Sequence, residues 1–416
     1  MRRIPHGFVP RLALIAVGAL VLRVAYVLIV GREVAGIGDY FFYNGSANLL
    51  ADGEGFVNPY SLAVGPAKPS AEHPPLWTFV LSVTSFLGGN GFTAHKLTGC
   101  LVGSLAIVPI GLLARRVAGD RAGLIAAGLA AVYPTFVAAD GSLMSETLYG
   151  FLIASALLAA YRLRDSGRLS AAAGLGALLG LAALTRTEAL LFIPFLALPV
   201  AVGAGGGLRR WAPRFAVVAV AAGLVIVPWT VRNWISLGDP VPVSVNGDAV
   251  LAGANCDQVY SGPDTGLWTV QCAFRDEGVS EPEQGRLWRR RGIDYAFDHA
   301  DRLPVVLTVR ALRVWDFWQP VRQTQSEGRH RLLQGAGTGV YFLLLPLVLV
   351  GGVILRRRRE TLVVMAVPFV VVTLAAMAGW GLPRFRQAAE VAIVVLAAVA
   401  IEALVTRYGQ RRSAPA

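Results

Sequence analysis

Three carboxylates stand where a membrane-embedded catalyst could use them: Asp39, Asp140 and Glu146 each sit at the edge of an apolar run and do not interrupt one. A carboxylate within hydrogen-bond reach of a hydroxyl can take its proton as a new bond forms, so Asp39 is read as a general base, with Glu146 and Asp140 as further catalytic candidates. Lys96, Arg186, Arg232, Arg384 and Arg386 recur at comparable edges, and cations of this kind bind and neutralise a phosphate. Glu72 and His73 open the stretch Glu72-His73-Pro74-Pro75-Leu76-Trp77. They are read as acceptor-related, or as two ligands of a divalent metal, although adjacent ligands point differently on any regular backbone. Such a mixed set suits a phosphate-headed lipid and the activation of a polar acceptor, and requires no cofactor.

The elements that must hold these residues are set by composition. Of 416 residues, 55% are hydrophobic and only 15% charged, and the mean hydropathy is +0.56. No globular core could hide that much apolar side chain, so the chain reads as a polytopic membrane protein. The formal charge of +12 would suggest nucleic acid in a soluble chain. Here the basic residues gather in short segments between apolar runs, which is the positive-inside pattern, and no nucleic-acid partner is implied. Of three cysteines, Cys100 lies inside an apolar run, while Cys256 and Cys272 share a long polar loop. Those two could form a disulfide if the loop is extracytoplasmic, or remain free thiols. The first apolar run lacks a small-residue cleavage site and reads as a retained span.

A crossing needs about 20 apolar residues, and about ten runs qualify. They cover Leu12–Val30, His95–Ala114, Ala122–Ala139, Thr147–Leu163, Ser170–Leu184, Ala189–Ala204, Phe215–Val231, Gly335–Leu355, Thr361–Gly379 and Gln387–Thr406. If each crosses once, the arginines at 2, 3, 11, 115, 116, 121, 162, 164, 168, 209, 210, 214, 356 to 359, 407, 411 and 412 share one side, which is cytoplasmic. Both termini are then cytoplasmic and the substantial loops outside. Leu76 to Gly88 is too short to cross and is read as an outer interfacial helix started by Pro74-Pro75. Leu303 to Trp318, with Arg310 and Arg313 among its apolar residues, is read as a second interfacial helix or as a helix docking the loop on the protein. The division follows: a transmembrane catalytic module over 1–232 including a first outer loop over 31–94, an extracytoplasmic subdomain over 233–334, and transmembrane helices over 335–416. Under this topology the candidate acids and cations converge on the outer face, whereas the cytoplasmic ends are almost purely basic. Any one of them alone could simply mark a span ending among headgroups. Arg23, inside the first span, would snorkel outward or pair with Asp140 or Glu146.

The order of several short motifs resembles the GT-C class of integral-membrane glycosyltransferases, in the branch of protein O-mannosyltransferases and the aminoarabinose transferases that modify lipid A. Carrying the resemblance are Gly38-Asp39 after the first span, Tyr43, Ala47, Gly53 and Gly55, Glu72-His73-Pro74-Pro75-Leu76, Tyr133-Pro134, Ser145-Glu146-Thr147, Leu184-Thr185-Arg186, Pro228-Trp229-Thr230-Val231-Arg232-Asn233 and Pro383-Arg384-Phe385-Arg386. It implies an all-α fold and an inverting transfer of a sugar from a polyprenyl-phosphate-linked donor to a glycan, lipid or protein acceptor. The reaction would lie on the extracytoplasmic side of the cytoplasmic membrane. It also implies that the acid of the first outer loop, here Asp39, is the base. His73 stands where the aminoarabinose branch has lysine, and neutral imidazole is a poor substitute for ammonium at a phosphate.

The long loop would carry acceptor recognition, with Tyr260, Trp268, Trp288 and Tyr295 either stacking on sugar rings or forming the loop's own core. A transporter or flippase of lipid-linked sugars is the alternative. It would show matching halves and polar, broken helices at the midplane, whereas the polar residues here crowd one face. Another membrane transferase would call for a histidine-centred pair or a clear metal cluster, which His73 and His95 alone do not make.

Overall fold

The computed structural model describes residues 7–31, 38–63, 65–323 and 329–413. Arg2 and Arg3, two of the orienting arginines, lie outside them. The described chain is nearly all helix. After α1 (Phe8–Ile29), the first loop carries α2 (Asp39–Ala51), a two-residue antiparallel pair β1 (Val57–Asn58) and β2 (Lys68–Pro69), and α3 (Leu76–Phe86). The bundle continues through α4 (Phe92–Ala118), α5 (Asp120–Val132), α6 (Pro134–Asp140), α7 (Glu146–Ser166), α8 (Leu169–Ala183), α9 (Leu198–Gly203) and α10 (Leu208–Leu237). The second loop holds α11 (Asn246–Ala254), α12 (Asp257–Tyr260), α13 (Glu281–Asp298), α14 (Leu303–Val314) and α15 (Pro320–Gln323). The chain closes with α16 (Arg331–Arg357), α17 (Val363–Ala378) and α18 (Gln387–Ser413).

All ten apolar runs are helical, but not all as uninterrupted spans. Among the described residues five helices are long and apolar enough to cross a membrane, and a sixth crossing arises if α5 and α6 count as one. That pair bends by 57°. The cause is Pro134, which pushes Tyr133 out of the helical region to φ −63, ψ 116. The run Ala189–Ala204 is likewise broken, into a 3₁₀ turn at Thr187–Leu191, a π turn at Ile193–Ala197 and α9, with Pro194 and Pro199 interrupting the ladder. Such breaks are tolerated where neighbouring helices cover the backbone.

Burial separates centre from rim. About the core of α18 72% of residues are buried, against 22% for α1 and for α10, so α18 is the hub on which α4, α5, α7, α16 and α17 pack. Close approach depends on small residues. A Cβ on Gly351 would lie 2.1 Å from the Leu396 carbonyl of α18, and one on Gly103 of α4 would lie 2.1 Å from the Asp140 carboxylate.

Two polar groups stand at helix ends. One gathers Asp39, Glu146, Arg186 and Arg384; the other pairs Arg116 with Asp165 at 2.7 Å and with Glu360 at 3.2 Å. The second loop folds against the first. Glu281 accepts the Ser70 hydroxyl at 2.8 Å and the Ala71 amide at 2.5 Å, and Arg275 pairs with Glu72 at 2.8 Å. Arg310 and Arg313 of α14 are buried, with burial lowering each guanidinium to about 10. They donate to loop and helix carbonyls, among them Met377 at 3.0 Å and Thr265 at 2.7 Å, and α14 packs on α17. The docking reading of this helix is therefore the one its contacts support.

Cys256 and Cys272 form a disulfide. Replacing both by serine is expected to loosen the segment between them by about 2–4 kcal/mol, read as faster amide exchange over residues 257–271. Unchanged exchange there would show that packing alone holds the segment.

Candidate active site

Local backbone chemistry sets the first half of the site. Gly38 has φ +74, a conformation a side chain would resist, and it turns the chain into α2 so that Asp39 occupies the first helical turn, where the helix dipole favours a carboxylate. Tyr60 holds this entry by donating its hydroxyl to the Gly38 carbonyl at 3.0 Å. The prolines at 74 and 75 then start α3, and this stretch binds to two other turns. The Leu76 amide donates to the Leu184 carbonyl at 2.9 Å, and the Trp77 indole to the Leu143 carbonyl at 3.1 Å. That brings His73 beside the starts of α7 and the turn after α8.

Five of the sequence candidates meet here. Asp39, 35% exposed at its side chain, has one carboxylate oxygen 3.9 Å from His73 Nε2 and the other 3.6 Å from Arg384 Nη2. Glu146 is 1% exposed; its Oε1 accepts from Arg186 Nη1 at 3.1 Å and lies 3.7 Å from Arg384 Nε. Its Oε2 is buried without a hydrogen bond among the described residues. Arg186 also donates to Glu188 at 2.5 Å and lies over the Phe385 ring at 5.0 Å, with Arg384 over the same ring at 4.9 Å. His73 rests on Phe42 and Tyr43, with ring centroids 4.5 and 5.3 Å away. Its Nδ1 is 2.9 Å from the Asn246 amide nitrogen, so Asn246 donates to it and the proton of a neutral ring sits on Nε2, toward Asp39. Burial with the nearby Asp39 charge drives the Tyr43 hydroxyl well above its ordinary range, so it serves as a neutral hydrogen-bonding group.

The other candidates stand apart. Asp140, 3% exposed, accepts from Arg23 Nε at 2.5 Å and from the Thr147 hydroxyl at 2.9 Å. Arg23 also donates to the Ala131 carbonyl at 2.8 Å and the Ala130 carbonyl at 3.1 Å, so of its two expected partners it takes Asp140. Lys96 is buried and donates to the Gly31 carbonyl at 2.8 Å. Arg232 donates to the Ser70 carbonyl at 2.6 Å and to the Phe56 carbonyl, clamping the first loop to α10. Arg386 is buried between Glu390 at 2.6 Å and Asp316 at 3.1 Å. Glu72 accepts from Asn58 at 2.7 Å as well as from Arg275, partners it does not share with His73.

Sequence reading did not find Asn246 as a partner of the site, and it placed Glu188 among the polar residues converging on the outer face without giving it a role. Nothing local marks Asn246, which reaches His73 only because the two loops fold together. Glu188 stands two residues from Arg186, a spacing that could have paired them. Among the described residues no three His, Cys, Asp or Glu side chains gather as metal ligands. The carboxylates at the site face guanidinium groups, so arginine supplies the positive charge there.

Residues 72–231 match the family described as dolichyl-phosphate-mannose-protein mannosyltransferase. No curated protein sequence matches the chain. The fold is similar to the Archaeoglobus fulgidus oligosaccharyltransferase tethered with an acceptor peptide containing the NVT sequon, at 15% identity and a TM-score of 0.58. It is similar also to AglB from the same organism in complex with an inhibitory peptide and a dolichol-phosphate, at 17% identity and a TM-score of 0.57. Each likeness covers 98% of this chain and 51% of the other, so the chain spans about half the length of those proteins. ArnT from Cupriavidus metallidurans bound to undecaprenyl phosphate aligns over 96% of this chain and 78% of its own, at 17% identity and a TM-score of 0.43. The two Archaeoglobus fulgidus structures share this chain's fold, which is the GT-C fold that its motifs resemble.

Proposed function

We propose that this GT-C protein is an inverting glycosyltransferase that moves a sugar from a polyprenyl-phosphate donor to an acceptor hydroxyl on the extracytoplasmic side of the cytoplasmic membrane. One observation carries the reading: Arg384 stands between the half-exposed carboxylate of Asp39 and the buried carboxylate of Glu146, with Arg186 beside it. Asp39 takes the proton as the acceptor oxygen bonds to the anomeric carbon, the bond from that carbon to the phosphate oxygen breaks, and polyprenyl phosphate leaves. One displacement inverts the centre and needs one base. Arg384 and Arg186 meet the charge that develops on the leaving phosphate, and Glu146 holds Arg186 by a hydrogen bond and draws Arg384 by its charge, so that little reorganisation accompanies the step. Among the described residues six crossings, counting α5 and α6 as one, together with the arginine-rich segments between the apolar runs, support a multi-pass chain with cytoplasmic termini, and the Cys256–Cys272 disulfide supports an outer location for the second loop.

The test is donor turnover by purified protein: a panel of polyprenyl-phosphate sugars with membrane extract as acceptor, following release of polyprenyl phosphate. Consumption of one donor is expected. If no donor is consumed while lipid-linked sugar crosses vesicle membranes, the flippase reading replaces this one. Arg384→Gln is expected to lower kcat/KM about a hundredfold, the scale of losing one preorganised charge donor, with Arg384→Lys intermediate because ammonium keeps charge but not the fork. Equal kcat/KM in all three would remove Arg384 from the phosphate site.

A further inference from the structure

A row of aromatic rings runs from this site into the second loop. Phe385, under both Arg186 and Arg384, lies 5.0 Å from the Trp380 ring at 76°, and Trp380 lies 6.0 Å from the Trp268 ring at 36°. Arg384 also stands over Trp380 at 5.6 Å. The three rings and Arg384 are all partly exposed.

The row is held in place. Trp268 donates its indole to the Ala249 carbonyl at 3.1 Å, and Gly253 clears room for it, since a Cβ there would meet the indole nitrogen at 2.2 Å. The Gly381 amide donates to the Gly266 carbonyl at 3.1 Å, tying the Trp380 segment to the Trp268 segment, and a Cβ on Gly381 would strike the Arg310 carbonyl at 2.3 Å. Other aromatic residues of the loop serve as its core: Trp288 and Tyr260 are 3% exposed and packed in the loop's two hydrophobic clusters. Trp268 only borders one of these, and Trp380 belongs to none of the described clusters.

Building on the transferase reading, we infer that Trp380 and Trp268 form a saccharide-binding strip for the acceptor, which is a glycan. Sugar rings present a face of C–H groups carrying partial positive charge, and these pack on the negative face of an indole. The strip leads away from Arg384, where the donor phosphate would sit, toward the loop docked over the site. A growing glycan end laid along it would present its hydroxyl beside Asp39. Rigid rings held by glycine contacts and backbone bonds lose little entropy on binding.

The experiment uses the full chain in detergent and no donor. Mannan, arabinan and glucan oligosaccharides are titrated against tryptophan fluorescence, with a peptide library as the comparison. At least one saccharide is expected to bind and to protect Trp380 and Trp268 of the unaltered protein from N-bromosuccinimide, read by peptide mass mapping. Trp380→Ala is expected to raise its Kd, and the acceptor KM in turnover, about three- to tenfold, with donor KM unchanged and Trp380→Phe recovering most of the loss. Equal protection of both tryptophans with and without saccharide, binding of peptide in place of sugar, or a shift in donor KM alone would overturn the proposal. Because binding is also measured in Asp39→Asn, a failure of the base assignment is distinguishable: saccharide binding there persists whatever happens to turnover.

Discussion

Asp39→Asn is expected to lower kcat by about two to four orders of magnitude while the donor still binds. The substitution is nearly isosteric and removes only the basic oxygen. Asp39 is the most exposed carboxylate of the site, at 35% against 23% for Glu188, which is engaged by Arg186 at 2.5 Å, and 1% for Glu146, so it is the one best placed for an acceptor hydroxyl. The distances of 3.6 and 3.9 Å to Arg384 and His73 are too long for direct hydrogen bonds, which leaves its oxygens open to a substrate proton. Donor KM should change little, since the phosphate is held by the arginines. A variant turning over like wild type would make Asp39 structural and move the search for a base to Glu146, whose Oε2 has no hydrogen bond among the described residues.

The second large effect is on stability. Arg23→Met is expected to cost about 3–5 kcal/mol, because it strands the Asp140 carboxylate in a buried site. Arg23 lies 1% exposed and Asp140 3% exposed, and their 2.5 Å pair joins α1 to the end of α6. The same guanidinium serves the Ala130 and Ala131 carbonyls just before the bend at Pro134, so its loss would also leave backbone acceptors unserved. Thermal unfolding of purified protein, followed by the loss of the monodisperse peak, should show a large drop for Arg23→Met and a partial recovery in Arg23→Met with Asp140→Leu, which removes both charges. If the single variant melts with wild type, the buried pair contributes little. This engagement of Asp140 favours a structural role over the catalytic one that its position in the sequence allowed.

Length and hydropathy determined by themselves that the chain is a helical membrane protein and which helical runs it contains. Those properties are local: a run of about 20 apolar residues must satisfy its own backbone in lipid, and that is legible residue by residue. The polar ends at Asp39, Glu146, Arg186 and Arg384 were legible for the same reason, since charge is excluded from the middle of a span. The motif at Tyr133-Pro134 was visible too, yet its consequence, a 57° bend, depended on helices that cover the freed carbonyls. Only the tertiary structure decided which charges meet. Arg23 and Asp140 are 117 residues apart, His73 and Asn246 are 173 apart, and Arg386 turns to Asp316 and Glu390 while Arg384, two residues earlier, turns to Asp39. Pairing of this kind follows from which helix faces adjoin, and the sequence spacing of charged residues carries no record of that.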